Sequence, residues 1–80
     1  VTPEARQELL AEFGLTEDGD GFGLTPRSLQ QGLSRAYKLR GEGNAECAEI
    51  LALDPADERR AQLALHLQIE AFSEAYSQNS

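Results

Sequence analysis

The chain holds one cysteine, Cys47, and one histidine, His66. A lone thiol cannot close an internal disulfide, so nothing ties these 80 residues to an oxidising compartment, and a cytoplasmic protein is the expectation. A lone histidine without an accessible thiol beside it leaves a zinc site short of ligands. β-Branched aliphatics are almost missing, being confined to Val1, Ile50 and Ile69. Strands draw on such residues and on aromatics, whereas the Leu and Ala that dominate here favour helices. No apolar run approaches the ~18 residues of a membrane span, so membrane insertion is not expected. Bases are scarce as well: 7 Lys and Arg stand against 14 Asp and Glu, a formal net charge of −7. Phosphate backbones and anionic bilayers require clustered cations, which argues against nucleic acid or an anionic membrane surface as partner.

What is present is helix punctuation. Thr2-Pro3-Glu4 supplies an N-cap, a proline at the first helical position and an acid at the positive helix end. Ala5, Leu9 and Phe13 then recur at helical spacing, and Gly14 ends the run, with Leu15 able to fold back on Leu10. Thr25-Pro26 opens a second helix whose seam reads Leu29, Leu33, Ala36 and Tyr37, with Gly32 placed where another backbone can come close. Asn44 caps a short third helix facing inward through Cys47, Ala48, Ile50 and Leu51. Asp54-Pro55 opens a fourth, with a stripe of Ala61, Leu65, Ile69, Phe72 and Tyr76. The expected fold is all-α: one small four-helix domain over residues 1–80, with helices at 3–13, 26–40, 45–53 and 55–76 and a frayed tail at 77–80. A chain this short buries roughly 60–65% of its unfolded surface, enough for one modest core but not for a deep enclosed active site.

Charge is blocked along the chain. Residues 1–20 carry six acids and one base, residues 21–41 four bases and no acid, and residues 42–58 six acids and no base. Either the second helix lies between acidic neighbours and neutralises them, or an acidic face is left for a basic partner protein.

The stretch "LTEDGDGFGLTP", residues 15–26, invites three readings. A phosphate cradle is excluded by Glu17, Asp18 and Asp20, with no lysine following. From Phe13 to Leu33 the chain resembles a single degenerate EF-hand, the helix–calcium loop–helix unit. Asp18, Asp20 and Gly21 match the third, fifth and sixth loop positions. With Gly23 inserted, Leu24 matches the apolar eighth, and Leu29 the residue after the loop. Thr16 stands where the first aspartate belongs, and Ser28 where the bidentate glutamate does. The resemblance implies a calcium-responsive helix–loop–helix with Asp18 and Asp20 as its ligands. The residues themselves read as a turn between helices, with no bound metal or other cofactor expected. A second stretch, "ALDPADERRAQLAL", is similar to the junction between tetratricopeptide repeats, present as one unit only.

Cys47 shares its face with Ile50 and Leu51 and is expected to be a buried structural thiol, and His66 to be a solvent-exposed residue near Arg59, Glu70 and Ser73. No carboxylate pair is marked by apolar surroundings that separate two pKa values, so no catalytic residues and no enzymatic activity are expected. Leu63, Leu67 and Phe22 stand apart. Leu63 and Leu67 lie about 100–200° round the fourth helix from most of its stripe, so either the third helix or another chain covers them. They are the candidate partner-binding residues. The reading is a protein-interaction module that docks a protein partner or its own copy. The alternatives are the calcium-responsive helix–loop–helix and, third, an acidic mimic or inhibitor that occupies a basic surface on another protein.

Overall fold

The computed structural model describes residues 2–19 and 21–78, in the order α1 (Pro3–Glu12), β1 (Leu15–Asp18), β2 (Gly21–Leu24), α2 (Pro26–Gly41), α3 (Ala45–Leu51) and α4 (Glu58–Gln78). Three of the four cap signals act as read. The Thr2 hydroxyl accepts the Ala5 N–H at 3.1 Å, and Asn44 Oδ1 accepts the Cys47 N–H at 3.0 Å. At the start of α2 the cap is reciprocal. Thr25 Oγ1 accepts the Ser28 N–H at 3.2 Å, and Ser28 Oγ accepts the Thr25 N–H at 2.8 Å. Thr25 Oγ1 also donates to the Gly14 carbonyl, which pins the end of α1 to the start of α2.

The molecule is mostly helical, but the expectation of a purely all-α fold is corrected by an antiparallel hairpin. Leu15 pairs with Leu24, Thr16 with Gly23, Glu17 with Phe22 and Asp18 with Gly21. Alternation puts Leu15, Glu17, Phe22 and Leu24 on one face, and Thr16 and the two glycines on the other. Gly19, at φ +62°, supplies the left-handed residue that a two-residue hairpin loop needs. The strands are short and glycine-rich, so packing holds them. Leu15 is buried with Leu10 and Phe72, and the Phe22 ring lies 5.7 Å from that of Phe72. Arg6 clamps the hairpin to α1 through a two-pronged ion pair with Glu17, its Nη2–Oε2 arm at 2.8 Å.

Helix boundaries also differ from expectation, most around the α3–α4 junction. α3 ends at Leu51, and α4 starts at Glu58 instead of Pro55. Asp54 Oδ1 accepts the Ala56 N–H at 2.9 Å and closes a local turn, so the helix waits for Asp57, whose Oδ1 accepts the Arg59 N–H at 2.9 Å. At the other end α4 continues through Ser77 and Gln78, which the sequence assigns to a frayed tail, while Asn79 and Ser80 lie outside the described residues.

α4 runs past two apolar clusters. Ala36, Cys47, Leu51 and Leu63 form one, with Leu33, Leu39, Ile50 and Leu67 packed against it. Leu10, Leu15 and Phe72 form the other, with Phe13, Phe22, Leu65, Ile69 and Tyr76 around them. Between these levels α2 and α4 meet at Gly32 and Ala64. A Cβ on Gly32 would stand 2.5 Å from the Ala64 carbonyl oxygen and 2.7 Å from its Cα. The approach brings Gln68, 0% exposed, against α2. Its Nε2 donates to the Phe13 carbonyl and to Gln31 Oε1, both at 2.9 Å, and its Oε1 accepts from Arg35 Nε at 2.7 Å. One buried amide thus joins α1, α2 and α4, with its donors and acceptor satisfied.

Candidate functional site

The first helix to place is α3, because it decides the fate of Leu63. Asn44 starts α3 so that Cys47 and Leu51 face α2 and α4, and both enter the cluster that contains Leu63. Leu63 is 7% exposed, and of the two alternatives left open by the sequence it is α3 that packs against it, through Cys47 and Leu51. Phe22 is half-buried beneath Phe72 and likewise belongs to the molecule's own core. Leu67, one turn beyond Leu63, is only half-buried and reaches the surface.

Around Leu67 the molecule is concave. Beyond the approach at Gly32 and Ala64, the C-terminal half of α2 and the middle of α4 leave a depression of about 240 Å³. Its floor is Leu39, Leu67 and Ala71, and its rim carries Arg35, Lys38, Glu42, Glu70 and Glu74. A second depression, of about 320 Å³, adjoins it at Leu39, Leu67 and Glu70 and extends to the start of α3, where Asn44, Glu46, Cys47 and His66 line it. Together they form a groove with an apolar floor. Of the sequence candidates, Leu67 is central to it and Leu63 lies at the bottom of one end, while Phe22 is not among the lining residues. Leu39, Ala71 and the rim glutamates were not singled out from sequence. The signal was there as Leu67 and Ala71 at i, i+4 running beside Glu70 and Glu74, also at i, i+4.

Rim chemistry is acidic. His66 Nε2 and Glu70 Oε1 stand 3.0 Å apart, both exposed, as expected of the one histidine. Among the described residues no ion pair engages Glu42, Glu46 or Glu74. Of the two rim bases, Arg35 donates its Nε to Gln68 and its guanidinium lies 5.6 Å from the centroid of the Phe13 ring, while Lys38 stands on the same helix face. Two bases against four glutamates leave the rim net acidic. Cys47 is buried as expected. Burial, aided by the charge of Glu46, pushes its thiol pKa up and keeps it protonated, so it is a poor nucleophile.

Elsewhere on α2, Tyr37 is exposed instead of sitting in the seam. Arg40 covers its ring at 4.8 Å, and its hydroxyl accepts from Arg60 Nη2 at 3.0 Å. Asp20 and the Asp18 side chain, the calcium candidates, lie outside the described residues. Among the described residues no group of three or more His, Cys, Asp or Glu could hold a metal ion. Ser28, at the place of the EF-hand's closing glutamate, is fully buried, and its hydroxyl serves the α2 cap. No helix among the described residues is long and apolar enough to cross a membrane. Comparison with protein-family models, curated proteins and solved structures gives no match.

Proposed function

We propose that the chain is a small acidic protein-interaction module without catalytic activity, and that its docking surface is the groove between α2 and α4. One observation carries the reading: an apolar floor of Leu39, Leu67 and Ala71 lies open between two helices and is rimmed by carboxylates. Concave apolar surface framed by polar side chains is where a partner gains most on desolvation, and the helices beneath it are held by the buried Gln68 bonds. A net charge of −7 sets two copies of the chain against each other, so a basic partner fits better than a homodimer.

Affinity capture from an extract of the source cells, followed by titration of the captured protein, tests this. Leu67→Gln and Ala71→Asp should each weaken that binding at least roughly tenfold, about 1.4 kcal/mol, with unchanged helical circular dichroism. Unaltered affinity of both folded variants would refute it.

A further inference from the structure

We infer that the occupant of this groove is a basic amphipathic helix of a partner protein, with two apolar side chains seated on either side of Leu67. The inference rests on the docking surface proposed above. The two depressions adjoin and share Leu39, Leu67 and Glu70. An amphipathic helix repeats apolar side chains every three or four residues along one face, so successive anchors reach adjoining hollows of an interhelical groove. A strand docked by backbone pairing would instead need a sheet edge, and the walls here are helical, the hairpin β1–β2 being the one sheet among the described residues.

Charge selects the sign of the partner. Glu42 and Glu74 stand over one hollow, Glu46 over the other and Glu70 over both. Arg35, exposed with its Nε on Gln68, and Lys38 are the two bases on the rim, so the four glutamates leave it net acidic. Lysine or arginine side chains flanking the apolar anchors therefore meet carboxylates on the α4 wall and at the start of α3. An acidic or neutral helix would leave those carboxylates unpaired beside a desolvated floor. Each exposed pair gives roughly twofold in affinity at low salt, and three together roughly tenfold.

Synthetic amidated peptides of roughly 16 residues, long enough for marginal helicity, provide the test when titrated into the isotope-labelled full chain. One carries leucines at helical spacing on a lysine and alanine background. A second replaces its lysines with glutamine, a third replaces them with glutamate, and a fourth scrambles the first. The basic amphipathic peptide should give saturable amide shifts around Leu39, Leu67 and Ala71. Roughly tenfold weaker binding is expected for the glutamine peptide, and for the first peptide against Glu42→Gln/Glu46→Gln/Glu74→Gln or in high salt. The glutamate and scrambled peptides should not seat there. Equal affinity of the glutamine or the scrambled peptide would overturn the inference. A glutamine peptide that still seats in the groove leaves groove docking standing, whereas shifts that avoid the groove with every peptide remove both.

Discussion

Replacing Gly32 with alanine opposes two effects of known sign. In the interior of a helix alanine is better than glycine by about 1 kcal/mol, so propensity alone predicts a more stable protein. Gly32 faces Ala64, however, and the added methyl would lie 2.5 Å from the Ala64 carbonyl oxygen, 2.7 Å from its Cα and 2.7 Å from its Cβ. Carbon atoms rest at about 3.5–4.0 Å, so α2 and α4 must separate by about 1 Å. None of those atoms is the far end of a flexible side chain that could swing away. Separation also stretches the bonds from Gln68 to Gln31 and Arg35, now 2.9 and 2.7 Å. A clash at the upper end of ordinary overpacking costs about 3 kcal/mol, leaving a net loss of about 2 kcal/mol. For a domain this small that lowers the thermal midpoint by about 8–16 °C. Gly41→Ala is the matched control, since nothing lies within 4 Å of its Cβ position at the end of the same helix. It should leave the midpoint unchanged or slightly raised. Thermal and urea unfolding followed by circular dichroism measure both, and a Gly32→Ala midpoint at or above wild type would refute the helix approach on which the groove depends.

Gln68→Leu removes an amide that satisfies Phe13, Gln31 and Arg35, and should cost about 1–3 kcal/mol in urea unfolding despite the added apolar volume; a variant as stable as wild type would contradict the network. Leu63→Ala should cost about 2–5 kcal/mol, as for a core leucine, and a change below about 0.5 kcal/mol would return Leu63 to the surface. Arg59, through its side chain and its N–H, lowers the Asp57 pKa to about 2. A depressed folded-state pKa contributes stability above the unfolded value of about 3.9 that is lost as pH falls. Stability should therefore drop between about pH 4 and pH 2, less steeply in Asp57→Asn, and equal slopes would count against the cap. Millimolar calcium should leave the amide resonances of residues 16–28 in place, because Ser28 offers a capping hydroxyl where a bidentate carboxylate is needed; saturable shifts confined to that segment with a micromolar midpoint would make the chain a calcium binder.

Much of the helical frame was legible because its signals are local. Thr2-Pro3, Thr25-Pro26 and Asn44 each act at a range of three residues, and Gly32 declared a close approach by its lack of a side chain. The hairpin was missed because its glycines read as loop. Yet Gly21-Phe22-Gly23-Leu24 alternates, and only the packing of Phe22 on Phe72, 50 positions along the chain, makes the alternation count. The buried face of α4 departs from its apolar stripe for a related reason. The apolar stripe in the sequence runs through Leu65 and Ile69, whereas the buried face centres on Ala64 and Gln68. A glutamine reads as solvent-facing until Phe13, Gln31 and Arg35 are seen to converge on it. With the stripe displaced, Leu63 looked stranded, although α3 was already shaped to cover it. Leu67 was identified, but its groove was not, because Leu39 and Ala71 reach it from separate helices.

The docking surface itself is tested most directly by mapping amide chemical-shift changes on the labelled chain as its captured protein partner is added. Docking in the groove predicts that the largest changes fall on residues 35–42, on Asn44, Glu46 and Cys47, and on residues 63–74, with Leu39, Leu67 and Ala71 among the strongest. Changes centred instead on Phe22 and Tyr76, or on the exposed acids Glu4, Glu8 and Glu12 of α1, with the groove silent, would contradict it.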